Sequence, residues 1–383
     1  MGNEMLNRYL TENVREDLEQ RMVFVGGPRQ VGKTTFGLSL LSDQLKEKSP
    51  AYLNWDDLAD RESILSGAFP SEQSLLILDE IHKFSDWRNL IKGFWDKNKS
   101  TVSLLVTGSA RLDYYRKGGD SLQGRYHYYR LHPLTLMEVD PVASSSSVEQ
   151  LLQFGGFPEP FTQGTERFHR RWLREMTARL THEDVRDLEN VREHSKLDLL
   201  LHHLPACVGS PLSVNALRKL LQVSHESVER WLTILDNLYV TFRIPPMGGA
   251  RIRAVKKEQK LYFRDWSRCA EPGVRFENMV ACHLLKYCHW VEDSEGYEME
   301  LRYVRDTDGR EVDFVVLQDR KPLFAVECKC GERNESTACR YFRERTEIPE
   351  FYQVHLGAKD QGIEHTGTRV LPFAHFCEVK QLP

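Results

Sequence analysis

Residues 27–34 read Gly-Pro-Arg-Gln-Val-Gly-Lys-Thr, and this octapeptide with its full G-x-x-x-x-G-K-[ST] spacing constrains the chain more than any other segment. Two glycines let the backbone curl until its N–H groups face a phosphate chain. Lys33 then sets a cation on the β- and γ-phosphates, and the Thr34 hydroxyl is a ligand for Mg²⁺. The flanks suit this chemistry. Met22 to Val25 is a short apolar run of buried-strand type, and from Thr34 onward the apolar spacing is helical, so an anion would meet a helix N-terminus. The set expected to hold a nucleoside triphosphate is Gly27, Pro28, Arg29, Gln30, Val31, Gly32, Lys33, Thr34 and Thr35.

Leu75-Leu76-Ile77-Leu78-Asp79-Glu80 is the second strong feature: a buried strand with acid at its C-terminal tip. Open α/β sheets bind ligands at that edge. Asp79 is expected to hold Mg²⁺ together with Thr34, and Glu80 to orient and deprotonate the attacking water. Leu104 to Ser109 is a further strand ending in small polar residues; Ser109, in preference to Thr107, is expected to sense the γ-phosphate or fix the attacking water. Charge on a transferring phosphoryl group calls for a cation, and an arginine supplied across a subunit boundary is worth ~10³–10⁵ in rate. Arg125 is the first choice for that role, Arg111 and Arg116 are competitors, and an ordinary surface arginine is the alternative reading of Arg125.

At 383 residues with 40% hydrophobic and 28% charged content, two or three soluble domains are expected. No apolar stretch spans a bilayer, and the first residues lack signal-peptide character, so a cytoplasmic protein with no membrane partner is expected. All eight cysteines lie from Cys207 onward without a C-x-x-C, which favours free thiols over zinc or disulfides. A net charge of −4 excludes a global basic field; any nucleic-acid contact must be local.

Residues 1–140 alternate strand-like runs (22–26, 51–55, 74–79, 103–107, 127–131) with helical stretches (33–47, 86–98), the pattern of a parallel α/β sheet. Ser144 to Ser147 reads as a loop, and residues 154–160 as a rigid turn. A helical lid or linker is expected over 141–195. Helices at 196–205, 213–221 and 224–238, with Ser224 as N-cap, then strands at 240–244 and 260–264, outline a winged helix over 196–268. The remainder, 269–383, reads as an α/β unit: a helix at 274–289, then strands at 300–305, 311–317, 322–328, 351–356 and 370–376.

The phosphate loop, Tyr52-Leu53-Asn54-Trp55-Asp56-Asp57, Leu-Ile-Leu-Asp-Glu-Ile-His-Lys, Thr-Gly-Ser-Ala, Leu131 to Glu138 and Gly-Gly-Phe-Pro-Glu159 together resemble the AAA-type ATPases of prokaryotes that carry a C-terminal domain of unknown function. The resemblance covers nearly the whole chain. It implies a P-loop ATPase domain, a winged helix and a restriction-endonuclease-like fold. It also implies assembly through the ATP sites, as a homo-oligomer such as a ring or hexamer, and dealings with DNA.

Within the last unit, Asp313 opens an apolar strand and Val326-Glu327-Cys328-Lys329 follows fourteen residues later. Side chains alternate along a strand, so Glu327 and Lys329 share a face. Two carboxylates and a lysine can bind a divalent metal and activate water against a phosphodiester, and Glu277 on the preceding helix adds an oxygen ligand. The trio is similar to the D…E-x-K signature of restriction-endonuclease-like nucleases, with Val312 in place of the proline. The expected cofactors are ATP and Mg²⁺, with a second Mg²⁺ or Mn²⁺ at Glu277, Asp313 and Glu327. Arg251, Arg253, Lys256, Lys257, Lys260, Arg264 and Arg268 crowd the expected wing and suit contact with DNA phosphates; a solvated hairpin docked on the acidic remainder of the chain is the alternative reading. The main expectation is an ATPase coupled to a DNA-associated, nuclease-like domain in DNA processing or defence. The alternative is an ATP-driven switch for a protein partner with an inactive scaffold.

Overall fold

The computed structural model describes residues 6–41, 46–67, 69, 74–108, 122–180, 194–248, 258–363 and 367–383. Two compact units emerge, Met1–His132 with Asp293–Glu295, and Pro133–Glu292 with Gly296–Pro383.

The first unit holds α1 (Thr11–Leu18), β1 (Met22–Gly26), α2 (Lys33–Ser39), β2 (Tyr52–Asn54), α3 (Leu58–Ser66), β3 (Leu75–Asp79), α4 (Trp87–Asn98), β4 (Ser103–Thr107) and β5 (Tyr126–Arg130). Its strands form one parallel sheet in the order β2-β3-β4-β1-β5. The near-continuous apolar strands follow from burial on both faces of a parallel sheet; every residue of β1 is buried. Trp87, Ile91 and Trp95 recur every fourth residue on α4 and are buried together with Phe24, Leu76 and Val106. In this order β1 lies between β4 and β5, and the register sets Asp79 beside Thr107 and Thr107 beside Val25. The tips of three strands and the loop after β1 therefore share one edge.

The second unit begins with α5 (Leu136–Val139), α6 (Ser145–Phe154), α7 (Pro158–Gln163) and α8 (Glu166–Arg179). Next come α9 (His194–His203), α10 (Val214–Leu221), α11 (His225–Asn237) and the antiparallel pair β6 (Thr241–Ile244) and β7 (Lys260–Phe263). Ser224 caps α11 by accepting from the Ser227 N–H. Val228, Trp231, Leu232 and Leu235 keep one face of that helix in the core. The long α12 (Pro272–Glu295) leads to β8 (Met299–Arg305), β9 (Glu311–Gln318), β10 (Lys321–Lys329), α13 (Thr337–Arg343), β11 (Phe351–His355), β12 (Gly362–Ile363), β13 (Thr368–Pro372) and α14 (Phe373–Val379). The sheet order is β12-β13-β11-β10-β9-β8. β10, β11 and β13 run parallel, while β8, β9 and β10 form an antiparallel meander. Among the described residues no helix is long and apolar enough to cross a membrane.

Several sequence expectations are corrected. The serine run is not a loop: Ser144 accepts from the Ser147 N–H, and the helix continues from Ser145 to Phe154. A run of serines reads as loop by composition, yet serine is among the best N-caps. The expected turn at 154–160 ends in α7, whose Pro158 sits at the first helical position, where proline loses nothing. The strand placed at 370–376 stops at Pro372 and turns into α14. The helix expected over 33–47 ends at Ser39 as far as it is described, and the one at 274–289 runs from Pro272 to Glu295.

Candidate active sites

In the first unit, the loop after β1 is shaped by its glycines. A Cβ on Gly27 would lie 2.4 Å from the Leu131 carbonyl oxygen, so no larger residue fits. Gly32 has φ 93° immediately before α2, and Gln30 also adopts a left-handed conformation at φ 59°. The Lys33 side chain curls over the loop, donating to the Gly27 and Pro28 carbonyls at 3.0 and 2.7 Å. Thr34, Asp79 and Thr107 meet as the strand order requires. The Thr34 hydroxyl donates to Asp79 Oδ2 at 2.7 Å, Tyr52 donates to the same oxygen at 3.0 Å, and Thr107 donates to Oδ1 at 2.6 Å. Asp79 is buried yet fully supplied with donors, which keeps a carboxylate soluble in the interior. Burial and the Asp79 charge together raise the Tyr52 phenol well above its usual range, so Tyr52 remains a donor.

Glu80 follows with φ 57°, a conformation rare for glutamate and characteristic of strained functional positions. Its carboxylate stands 3.5 Å from the Lys83 ammonium and 3.7 Å from His82 Nε2. Burial raises its pKa, with Lys33 and Lys83 opposing that rise. Ser109, Arg111 and Arg116 lie outside the described residues, whereas Thr107, the second choice for the polar strand tip, is buried against Asp79. Arg125 precedes β5 and so lies at the opposite edge of the sheet from the loop; its guanidinium pairs with Asp96 at 2.9 Å. Arg29 is half-buried, Val31 is buried and Thr35 is exposed.

In the second unit, β9 and β10 pair so that Phe314 faces Val326, which sets Asp313 and Glu327 side by side one position on. The Cys328 N–H donates to Asp313 Oδ2 at 2.8 Å, and Lys329 holds Glu327 Oε1 at 2.6 Å. Glu277 reaches the same cluster from α12 and accepts from Tyr262 at 2.8 Å. Burial, then the neighbouring Asp313, push both Glu277 and Glu327 up to about 8. Burial pulls the Lys329 ammonium down, but Glu327 and Asp313 outweigh it and leave the pKa raised.

Two participants carry no sequence signature that singled them out. Lys260, at the start of β7, is fully buried and contacts Glu311, with Glu277 at 3.5 Å and Asp313 at 3.8 Å. Glu311 stands two residues before Asp313 on the same strand face, a period-two spacing that could have flagged it. Among the described residues no three His, Cys, Asp or Glu side chains are grouped so as to hold a metal ion. The Lys260 and Lys329 ammoniums stand among the carboxylates expected to ligate it.

Of the basic wing, the described residues are docked on the protein. Arg251, Arg253, Lys256 and Lys257 lie outside the described residues. Lys260 serves the acidic cluster, Arg264 is buried over the Tyr239 and Phe242 rings, and Arg268 donates to Thr177. Those three charges are turned inward and are not presented to a phosphate backbone. The cysteines are free thiols, with Cys328 half-buried and Cys330 exposed.

With this geometry in place, residues 19–139 match the model of an AAA domain. The N-terminal unit is an ATP-hydrolysing AAA-type domain. Downstream of this AAA-type domain, residues 145–270 and 272–376 match two domains of unknown function, DUF8612 and DUF4143. An uncharacterized protein of Methanocaldococcus jannaschii is 22% identical over 362 residues, covering 84% of this chain and 78% of that protein. An uncharacterized protein of Mycobacterium tuberculosis is 25% identical over 248 residues, 64% of this chain but only 54% of that protein. Among solved structures, the Aeropyrum pernix ORC1 protein in complex with DNA aligns with a TM-score of 0.35 at 14% identity, over 72% of this chain and 93% of that one. The Thermotoga maritima RuvB Holliday junction branch migration motor aligns with a TM-score of 0.30 at 15% identity, over 64% and 90%.

Proposed function

We propose that the AAA-type domain drives a DNA-associated C-terminal unit whose carboxylate cluster is a metal-dependent nuclease site of restriction-endonuclease type. The convergence of Glu277, Asp313, Glu327 and Lys329 at the β9–β10 edge carries this reading. Asp313 and Glu327 would hold one Mg²⁺ or Mn²⁺, and Lys329 would position the attacking water against a phosphodiester. On the ATP side, Lys33 binds the β- and γ-phosphates, Thr34 and Asp79 hold Mg²⁺, and Glu80 is the base that takes the proton of the attacking water. In this reading Asp79, already bonded to Thr34, needs no rearrangement to receive the ion. Arg125 acts on the ATP of an adjacent copy in a ring-shaped homo-oligomer, which its place at the far sheet edge supports. The three helices α9, α10 and α11 with the β6–β7 hairpin fit a winged helix. Lys260, Arg264 and Arg268 are turned inward, while Lys219 and Arg230 on α10 and α11 are exposed; any DNA contact would be to phosphates more than to base edges.

The deciding experiment is cleavage of single- and double-stranded DNA with Mg²⁺ or Mn²⁺, with and without ATP. Activity that disappears in Asp313→Ala and in Lys329→Ala supports the nuclease; no cleavage under any nucleotide leaves the second reading. That reading is an ATP-driven switch for a protein partner with a catalytically silent C-terminal scaffold. The buried pairing of Lys260 with Glu311 favours it, because an ammonium then stands among the ligands.

A further inference from the structure

Lys260 is held in place from both sides. Its strand β7 pairs with β6, where Ile244 faces Lys260, and the segment before α10 closes on the other side through a bridge from Pro211 to Lys260. The aliphatic stem is buried and the ammonium lies 5.3 Å from the centroid of the Tyr303 ring. Burial pulls that ammonium down, but Glu277, Asp313 and Glu311 outweigh it and hold it above the usual lysine range. A lysine desolvated this completely is retained only if its counter-charges are fixed; here they come from two elements, α12 and β9, and Tyr262 of β7 holds Glu277 in place.

The carboxylate oxygens are not equally committed. Glu311 is shared between Lys260 and Arg305, the latter at 3.1 Å. Glu277 Oε1 takes the Tyr262 hydroxyl. On the other side, Glu327 is 95% buried, its Oε1 is engaged by Lys329 and its Oε2 has no hydrogen-bond partner. Asp313 Oδ1 has the Lys260 ammonium no closer than 3.8 Å. An orphaned buried carboxylate oxygen beside a second carboxylate is a place for a hard cation, and Mg²⁺ is commonly held by one or two carboxylates with waters completing the shell.

We propose that Lys260 is a built-in cation of this cluster: it fills the Glu277–Glu311 side in place of a metal ion and leaves one divalent-cation position, on the Asp313–Glu327 side. The inference rests on the nuclease-type reading of the same residues, but concerns metal stoichiometry rather than cleavage. A metal ion draws its oxygen ligands to 2.0–2.6 Å; on the Glu277–Glu311 side those oxygens already face the Lys260 ammonium, whereas Glu327 Oε2 is not the oxygen that Lys329 takes. The hairpin strand β7 therefore sets how many ions the site takes.

The test is a Mn²⁺ titration of the nucleotide-free full chain by calorimetry and electron paramagnetic resonance, in an Asp79→Asn background that silences the ATP site. The parent should bind one Mn²⁺, lost in Asp313→Asn. Lys260→Met should bind a second ion, or bind the first at least ~10-fold more tightly, because the competing charge is gone. Lys260→Arg should behave as the parent. Should Lys260→Met fail to fold, Lys260→Met/Glu311→Gln removes one charge of each sign and should keep the gain. An unchanged stoichiometry and affinity in both Lys260→Met variants overturns the inference, as does the absence of Mn²⁺ binding in every variant. The expected Mn²⁺ pattern without DNA cleavage removes only the nuclease reading; cleavage with Mn²⁺ binding indifferent to Lys260 removes only the inference.

Discussion

The two acidic sites solve the same electrostatic problem in opposite ways. At Asp79 one buried carboxylate is surrounded by three neutral hydroxyl donors, from Thr34, Tyr52 and Thr107. At the C-terminal cluster Glu277, Glu311, Asp313 and Glu327 are balanced by whole charges, from Lys260, Lys329 and Arg305. Hydroxyl donors satisfy the carboxylate oxygens without setting an opposite charge against them. The ammoniums offset only part of the charge, and burial with the neighbouring Asp313 still pushes Glu277 and Glu327 up to about 8. The first carboxylate is met by neutral donors, the second cluster by opposite charges.

The largest expected effects break the first site alone. Lys33→Ala should lose ATP binding, and Glu80→Gln should keep ATP but lose turnover by ~10²–10⁴, the usual worth of a positioned general base. Phosphate release and ATP retention on a filter check both; equal turnover in Glu80→Gln and the parent would remove Glu80 from its role. Lys260→Met should break the second site by leaving Glu277, Glu311 and Asp313 around a lost charge, at a cost of ~3–5 kcal/mol. Denaturant unfolding without metal reads this loss, with ATP hydrolysis by the AAA-type domain as the control.

The pH dependence of stability should separate the two sites next. Glu277 and Glu327 have folded pKa values above their ordinary 4.5. Between pH 4.5 and about 8 the folded state therefore holds more protons than the unfolded one, so stability falls as pH rises through that window. Glu327→Gln should flatten the melting temperature over pH 5–8 in EDTA, ~1 unit either side of the window's middle being the steepest part for the parent. A parent curve that rises with pH there would contradict the raised values. Gly209→Ala is a smaller intervention in the same place: φ is +75° and a Cβ would approach Glu277 Oε1 to 2.9 Å. The left-handed conformation costs an alanine ~1–2 kcal/mol, read by denaturant titration, with ATP turnover unchanged. Smallest is Arg125→Ala, whose exposed pair with Asp96 should leave the melting temperature unmoved. If Arg125 acts across a subunit boundary, turnover should still fall, and mixing it with Lys33→Ala chains should restore part of it.

Much of the first unit was legible because local signals agreed with one another. A glycine loop, an apolar strand ending in Asp79 and another ending in Thr107 all point to one sheet edge, and each depends on residues adjacent in sequence. The pairs Asp313 with Glu327 and Glu327 with Lys329 were legible for the same reason, since strand alternation fixes faces over a few residues. The serine run at 144–147 and the strand overrun past Pro372 were misread because composition resembled loop and strand while capping decided otherwise.

By itself, the sequence determined the nucleotide-binding loop, its acidic partner and the outline of the second unit, since periodicity and short motifs are local physics. Only the tertiary structure decided the fate of the basic residues after position 259. A charge count cannot distinguish a lysine that faces solvent from one buried on carboxylates some fifty residues away in sequence, because burial depends on what packs around it. Lys260, counted as wing charge for DNA, became the internal cation of the C-terminal site for that reason.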